Sequence, residues 1–318
     1  MQSGKCKVRN LKVKVLSFGF TLCALSFAFL CGCQNRQLYK DTRVMMGTFI
    51  EVTSPEEKAG SIAFAEIKRV EEILSKYNPQ SEISLLNKTG KLKVGPDTMY
   101  ILQKSKEFWL ATNGAFDVTV GPLMDLWGFT TKNYRVPAEE EIEKALLRIG
   151  MDKISFNEKN NVVKFNVRGV SLDLGAIAKG YAVDCAVRKL KEAGVTSCLI
   201  NAGGQIYALG NKFGKPWKVG IREPRKPGIK QYLELEDQAA STSGDYEQYF
   251  FNNGSRYAHI FDPKTGYPVQ GGVISVTIIA PDGLTADALS TSVFVLGKEK
   301  GANLTKRFPG VKAYILQE

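Results

Sequence analysis

The chain contains 318 residues, of which 44% are hydrophobic and 24% are charged, and this ordinary globular composition excludes global disorder. The single histidine excludes any site built from several imidazoles, such as a polyhistidine zinc site. The formal net charge is +11, but five basic residues precede residue 33 and no arginine-rich stripe follows. Nucleic acid is therefore not an expected partner, whereas an anionic small ligand or a membrane surface suits the remaining positive surplus.

The N-terminal segment has the pattern of a bacterial lipoprotein signal. Five basic residues precede a nearly continuous apolar run from Val15 to Leu30, which is short for a transmembrane helix. The run ends in a sequence that resembles a lipobox, with Cys33 as the lipidated residue. Because Cys31 is an imperfect lipobox member, a plain membrane anchor stays the alternative. We expect a signal peptide over residues 1–32, a tether over 33–39 and an exported, membrane-anchored protein that faces the periplasm.

Hydrophobic periodicity predicts helices and strands along the mature chain. Helices are predicted at 61–76, 97–112 (capped by Asp97), 139–148, 176–193 and 284–296. Strands are predicted at 44–52 (broken at 45–48), at a hairpin of 162–167 with 170–174, and at 198–201, 205–209, 217–221, 232–235, 246–251, 257–261, 273–279 and 311–316. This order favours an α+β fold with antiparallel sheets over an alternating βαβ sheet. We expect residues 40–318 to form one domain.

Two cysteines remain after residue 33 in the sequence. Cys185 and Cys198 both lie in apolar segments. We expect buried free thiols, although a disulfide is left open.

A glycine at a predicted strand-to-helix junction indicates an anion site. Gly175 precedes the helix at 176–193, whose first N–H groups are unpaired and favour negative charge. Lys179 lies one turn further on and can neutralise a phosphate. The alternative is a structural helix start with a solvated lysine. The segment is neither a Walker loop nor a GxGxxG fingerprint.

A second group of polar residues lies near the C-terminus. Asp287 and Thr291 are spaced to share one helix face, with Ser290 beside them, and Mg²⁺ prefers such oxygen ligands. The alternative is a carboxylate that complements the helix dipole. His259 is a candidate acid or base near neutral pH, or else a hydrogen-bonded strand histidine.

Taken together, eight ordered segments resemble the ApbE family of flavin transferases over nearly the whole mature chain. The segments are Met46-Gly47-Thr48, Tyr77 ahead of Ser81-Glu82-Ile83, Asp117 before Gly121-Pro122, Asp173 through Gly180, Asn201-Ala202-Gly203-Gly204, Ser241-Thr242-Ser243-Gly244, His259 through Gly266, and Ala286-Asp287 with Thr291. The resemblance implies a single α+β domain, with antiparallel sheets and flanking helices, related to the tunnelling fold. Many family members are exported lipoproteins, which agrees with the N-terminal signal.

The resemblance also implies roles for individual residues. FAD would be contacted, in an extended pose, by Met46, Tyr77, Ala115, Phe116, Asp117, Asp173, Lys179 and Phe261. Mg²⁺ would be held by the Ala176 carbonyl, Asp287 and Thr291, with His259 as the catalytic base. Ser290 stands where some members carry a second aspartate, which weakens the case for a second metal ion.

The implied reaction is Mg²⁺-dependent transfer of FMN from FAD to a threonine hydroxyl of an acceptor protein, with release of AMP. Family acceptors include subunits of sodium-pumping quinone reductases and of Rnf complexes. The alternatives are an FAD pyrophosphatase that yields FMN and AMP, and a non-catalytic periplasmic flavin-binding lipoprotein.

Overall fold

The computed structural model describes residues 37–318. The predicted signal peptide and the predicted lipidation site at Cys33 lie outside the described residues. Residues Leu38–Glu318 form one compact unit of helices and antiparallel sheets, which confirms the predicted α+β fold. Its helices are α1 (Lys58–Leu74), α2 (Glu82–Thr89), α3 (Pro96–Ala111), α4 (Gly121–Leu126), α5 (Glu139–Leu146), α6 (Ala178–Glu192) and α7 (Gly283–Thr305).

The central element is a seven-stranded sheet in which all neighbouring strands are antiparallel, in the order β1-β2-β6-β7-β10-β13-β14. Its strands are β1 (Tyr39–Met45), β2 (Thr48–Ser54), β6 (Cys198–Ala202), β7 (Gln205–Leu209), β10 (Gln238–Gly244), β13 (Val273–Ala280) and β14 (Lys312–Gln317). Every residue of β13 is buried because a helix covers one face of the sheet there and a hairpin covers the other. This two-sided burial explains its continuous apolar sequence.

The inner face of the sheet carries the main core. Helices α1, α6 and α7 pack there, and α1 presents Ala63, Ile67 and Val70 at helical spacing to the sheet. Each large apolar side chain that is fully buried in this core stabilises the fold by roughly 1.5–3 kcal/mol. The core therefore fixes how α6 and α7 lie against the sheet.

A hairpin covers part of the outer face of the sheet. Strands β8 (Trp217–Arg222) and β9 (Ile229–Leu235) pair with each other and bury Trp217, Val219 and Leu233 in a second apolar cluster. Leu38 packs against the same cluster, so the described chain begins on the outer face.

The remaining strands form smaller sheets. Strands β3 (Lys91–Lys93), β5 (Val162–Phe165) and β4 (Ile154–Asn157) form a three-stranded sheet in that order. Strands β11 (Tyr249–Asn252) and β12 (Ser255–Ala258) form a hairpin, and its Phe250 and Tyr257 pack on Trp127 at the end of α4. Strand β12 leads directly to His259.

Several predicted elements differ from the structure. The segment 170–174 is not a strand of a hairpin, because β5 pairs instead with β3 and β4, and the segment keeps a single bridge between Ser171 and Val120. The helix predicted from Asp97 is capped by Gly95 and starts at Pro96, and Asp97 binds Arg69 and Tyr181 instead. Helix α7 continues to Thr305 across a kink at Gly297, where φ is 77°. Strands β3, β4 and β10 and helices α2 and α4 were not predicted.

The two cysteines of the described chain behave as expected. Cys185 on α6 and Cys198 on β6 are both free and fully buried. None of the helices described for residues 37–318 has the length and hydropathy of a membrane-spanning segment.

Candidate functional site

Three glycine- or serine-rich segments meet at one end of the central sheet. Ile50 pairs with Ala202 and Gln205 pairs with Ser241, so the β1–β2 turn, the β6–β7 turn and the C-terminal end of β10 are neighbours. In the β6–β7 turn, Gly203 has a φ of 60°, and a Cβ there would lie 2.3 Å from Thr48 Oγ1. Glycine is therefore required for the close contact between these two turns.

The β1–β2 turn carries Met46, one of the predicted FAD contacts. Met46 has a φ of 50°, and its backbone N–H donates to Glu71 Oε1 at 2.6 Å. Because Glu71 lies near the end of α1, this bond holds the turn beside the residues that follow that helix.

The segment before α6 is fixed by a partly buried ion pair. Asp173 Oδ1 accepts from the Gly175 N–H at 2.8 Å, and Asp173 Oδ2 lies 2.7 Å from Lys76 Nζ. Burial lowers the pKa of Lys76, but the Asp173 carboxylate raises that pKa more, so the lysine stays charged. The sequence analysis missed Lys76, whose only sequence signal is its place beside the matched Tyr77.

Lys179 and His259 come together with Asp173. Lys179 Nζ donates to the Gly175 carbonyl at 3.1 Å, and the charges of Lys179 and Asp173 both act on His259. Burial lowers the pKa of His259 to about 4, and Lys179 lowers it further while Asp173 opposes it. The imidazole is therefore neutral at neutral pH. Its Nδ1 lies 3.2 Å from the Gln248 carbonyl, so the tautomer that donates this bond leaves the Nε2 lone pair free.

Helices α6 and α7 cross at two glycines beside Asp287. A Cβ on Gly180 would lie 2.3 Å from the Gly283 carbonyl oxygen, so no side chain can be accommodated at this crossing. The Gly180 N–H donates to Asp287 Oδ2 at 2.9 Å, whereas a regular helix would direct this N–H to the Ala176 carbonyl. The Ala176 carbonyl is consequently left without a hydrogen-bond donor from the described chain.

These oxygen atoms suit a hard cation. The Asp287 side chain is buried and pairs with no basic side chain of residues 37–318, and a buried carboxylate of this kind requires a compensating charge. Ser241 Oγ lies 3.3 Å from Asp287 Oδ1, and Ser243 Oγ lies 3.2 Å from Thr291 Oγ1. The described chain contains no cluster of three or more His, Cys, Asp or Glu side chains that could bind a metal ion. A metal ion here therefore depends on carbonyl and hydroxyl oxygens as well as on Asp287, which matches the chemistry of Mg²⁺.

Asp184 positions the start of α7 and was also missed. Its carboxylate accepts from the N–H groups of Gly283 and Leu284 at 2.6 and 2.8 Å. Burial raises the pKa of Asp184 to about 7 despite these bonds, and the charges of Asp282 and Asp287 raise it as well. Asp184 lies one helical turn after Gly180, which is the sequence signal that could have identified it.

Asp117 lines a separate cavity of about 360 Å³. Its Oδ1 accepts from the Thr119 N–H and hydroxyl at 2.8 and 2.5 Å, while burial raises its pKa to about 6. The cavity adjoins the Asp173 segment, because the Asp173 N–H donates to the Val118 carbonyl. A larger groove of about 780 Å³, between β1 and α1, is lined by none of the predicted site residues.

The other predicted FAD contacts differ in how exposed their side chains are. Tyr77 is exposed beside Lys76. Phe116 is buried against Phe108 in the main core, and Phe261 is buried against Trp127 and Phe129, so their side chains are occupied in packing. Ala115 is also buried. The structure thus groups Met46, Asp173, Ala176, Lys179, His259, Asp287 and Thr291 around one end of the sheet, with Asp117 in the adjoining cavity.

Comparison with known proteins identifies the family. The model of the ApbE family matches residues 46–315. The chain belongs to the ApbE family. Among its relatives in this family, the FAD:protein FMN transferase of Haemophilus influenzae is 33% identical over 93% of this chain and 91% of that protein. The FAD:protein FMN transferase of Treponema pallidum is 34% identical over 94% of this chain and 90% of that protein.

Solved structures of family members share the fold. The ApbE protein of Thermotoga maritima superposes with a TM-score of 0.82 at 38% identity, covering 88% of this chain and 94% of that chain. The flavin transferase ApbE from Vibrio cholerae superposes with a TM-score of 0.79 at 29% identity, covering 88% of this chain and 93% of that chain.

Proposed function

We propose that this protein is an FAD:protein FMN transferase, which moves FMN from FAD to a threonine of an acceptor protein. The observation that carries the proposal is the diverted N–H of Gly180. Because it bonds Asp287, it ties the carboxylate to the start of α6 and frees the Ala176 carbonyl beside it. A phosphate at that helix start would therefore meet oxygen ligands for a cation, a lysine and a neutral imidazole in one place.

The pyrophosphate of FAD is proposed to bind at the N-terminal end of α6. The dipole of α6 favours an anion at this end of the helix, and Lys179 adds a positive charge there, whereas the N–H groups of Gly175, Ala178 and Gly180 already donate within the chain. Asp173, held by Lys76, fixes the backbone at Gly175 so that this surface is formed before FAD binds. Met46, Tyr77 and the segment Ala115–Asp117 are proposed to contact the flavin and the nucleotide on either side.

Asp287, Thr291 and the Ala176 carbonyl are proposed to hold Mg²⁺. When bound, the ion would stabilise the negative charge that develops on the pyrophosphate during transfer. Asp184 keeps α7 against α6 and so keeps Asp287 and Thr291 in place. Ser241 and Ser243 orient the two ligand side chains from β10.

His259 is proposed to act as the general base. Its neutral imidazole accepts the proton of the acceptor threonine, whose oxygen forms a bond to the phosphorus of the FMN half. The pyrophosphate bond to that phosphorus breaks, and AMP leaves. FAD and the threonine hydroxyl are the only reactants that this transfer needs, because no group is oxidised or reduced.

The acceptor and the location are also proposals. Lipidation at Cys33 would place the enzyme at the periplasmic side of a membrane, and a suitable acceptor is an exported or membrane-bound electron-transfer protein. A subunit of a sodium-pumping quinone reductase or of an Rnf-type complex has this character.

Incubation of residues 34–318 with FAD, Mg²⁺ and a candidate acceptor tests the function. We expect the acceptor to gain the mass of FMN, and an acceptor with valine in place of its threonine to gain nothing. Free FMN and AMP with an unlabelled acceptor would indicate a pyrophosphatase. Intact FAD that stays bound would indicate a flavin-binding protein. The presence of Ser290 in place of a second carboxylate favours transfer over hydrolysis.

A further inference from the structure

The outer face of the central sheet exposes large apolar side chains in two places. Val44 and Phe49 are cross-strand partners at the end of the β1–β2 hairpin and are 70% and 71% exposed. On the β8–β9 hairpin, Ile229 and Tyr232 are 51% and 53% exposed. Because Leu199, which lies under the hairpin, pairs with Thr53, and Thr53 lies on the same side of β2 as Phe49, both groups lie on one face of the sheet. We call these four residues the outer apolar surface.

Basic side chains surround the outer apolar surface on the β8–β9 hairpin. Residues 217–235 contain five basic and two acidic side chains, a net charge of +3. Lys218 lies over the ring of Tyr232 at 4.2 Å, and Lys226 and Lys230 are exposed near Ile229. An apolar surface with aromatic and basic residues at its border is typical of proteins that lie on the headgroups of an anionic membrane.

The tether limits which part of the protein can face the membrane. Leu38 packs on the outer face, and Cys33 lies five residues before it. Five residues span at most about 18 Å. If Cys33 carries the lipid, the membrane surface therefore lies within that distance of Leu38. Two parts of the protein near Leu38 can then face the membrane: the outer face of the sheet, or the end of the sheet at which β1 begins.

That end of the sheet is the less suitable of the two. It carries acidic and basic side chains in nearly equal number, and its large exposed apolar side chain, Tyr39, is only 38% exposed, against 70% for Val44 and 71% for Phe49. Its charged residues include Glu56, Glu57, Lys58, Lys212, Lys215, Glu236 and Asp237. The outer face, by contrast, combines four exposed apolar side chains with positive charge.

We infer that the protein lies flat on an anionic phospholipid leaflet, with the outer apolar surface in the headgroup layer. The lipid at Cys33 supplies attachment, and the basic hairpin supplies orientation. The strands then run along the membrane, and the β1–β2 turn that carries Met46 lies close to the surface. This orientation would present the site to acceptor segments that stand next to the bilayer.

Fluorescence quenching by lipids tests the orientation. The mature lipidated protein, which begins at Cys33, is reconstituted in vesicles of three parts zwitterionic and one part anionic phospholipid that contain a nitroxide-labelled lipid. A fluorophore is attached at Phe49→Cys, at Ile229→Cys or, as a control, at the exposed Leu110→Cys on the helical side of the sheet. Because the Cys33 thiol carries the lipid and Cys185 and Cys198 are buried, the introduced cysteine is the labelled one. We expect quenching at 49 and 229 to exceed that at 110 at least several-fold.

A charge series tests the role of the hairpin. The triple variant Lys218→Gln, Lys226→Gln, Lys230→Gln should lose the excess quenching at 229, as should high salt. The matched triple variant Lys88→Gln, Lys91→Gln, Lys93→Gln, with the same change of charge at the end of α2 and on β3, should retain it. Equal quenching at all three positions would overturn the inference, as would a purified protein whose mass shows no lipid. Absent quenching combined with a raised KM for the acceptor in the hairpin variant would instead assign the surface to the acceptor protein.

Discussion

At the residue scale, we expect the substitution of Asp287 to lower the rate of FMN transfer most selectively. Asp287→Asn keeps an oxygen for the Gly180 N–H but removes the charge that a metal ion needs. We expect kcat for FMN transfer to fall by about 10²-fold or more, while the Kd for FAD changes far less, because the interaction matters most in the transition state. Steady-state kinetics and FAD titration measure the two quantities. Activity near that of the wild type in Mg²⁺ would remove Asp287 from the metal site.

Lys179 should distinguish between flavins that carry phosphate and those that do not. Lys179→Ala should weaken FAD binding by roughly 1.5–3 kcal/mol, the usual value for a hydrogen bond to a charged group. Riboflavin, which has no phosphate, should bind almost unchanged. Lys191→Ala, an exposed lysine near the end of the same helix, serves as the control in calorimetric titrations. Equal losses for FAD and riboflavin would show that the pyrophosphate lies elsewhere.

The pKa of His259 predicts an unusual pH profile. Because that pKa is lowered to about 4, the imidazole is already neutral at pH 5 and stays neutral above it. The kcat/KM for transfer should therefore stay constant down to about pH 4 as far as His259 is concerned, and should fall below that pH as the imidazole takes up a proton. The variant His259→Gln should have a lower kcat at every pH. A midpoint near the ordinary value of 6.5 that disappears in His259→Gln would contradict the lowered pKa of the imidazole.

At the element scale, the crossing of α6 and α7 should tolerate no added atom. Gly180→Ala would place a methyl group 2.3 Å from the Gly283 carbonyl oxygen, so the free energy of unfolding should fall by roughly 1–3 kcal/mol. Gly60→Ala in α1 is the matched control, since its Cβ would meet only ordinary contacts of 3.5 Å or more. That variant should be stabilised by up to about 1 kcal/mol, because alanine favours a helix. Denaturant unfolding measures both, and equal effects would contradict a tight crossing.

The sequence predicts a helix or strand correctly where the spacing of its apolar residues matches a single type of secondary structure. Helix α1 and strand β7 follow from apolar spacing alone. Strand β10 could not be found, because its Ala239-Ala240-Ser241 sequence is small and polar where α7 approaches closely. The segment Val170–Leu174 has strand-like composition and is largely buried, but no neighbouring strand is available to pair with it.

Candidate residues for the site could be named from the sequence, but the contacts between them could not. Asp287 and Thr291 stand out by their spacing on one predicted helix face, and Lys179 by its place one turn after Gly175, whereas Asp173 is named only through the resemblance to the family. Their mutual arrangement depends on long-range contacts, such as Lys76 with Asp173 and Asp184 with Gly283, that no local pattern encodes.

At the scale of the whole molecule, Asp184 should make stability depend on pH. Its pKa is about 7 in the folded protein against an ordinary 3.8, so between these values the folded state binds a proton that the unfolded state lacks. The stabilisation is complete below pH 3.8 and is lost as pH rises through 7, by about 1.4 kcal/mol per pH unit. Without divalent metal, the difference in unfolding free energy between the wild type and Asp184→Asn should therefore decline from pH 5 to 6.5. A constant difference would contradict the raised pKa.

The two buried thiols have a consequence for how the protein matures. A polypeptide that reaches an oxidising compartment unfolded exposes Cys185 and Cys198 to thiol oxidases, whereas the finished fold hides both from them. Burial raises the pKa of both thiols, which further slows their oxidation once the core has closed. During maturation, folding of the core thus competes kinetically with disulfide formation. A chain that folds first keeps both thiols reduced, as they are in the native core, whereas a chain that is oxidised first carries a disulfide that the native core lacks.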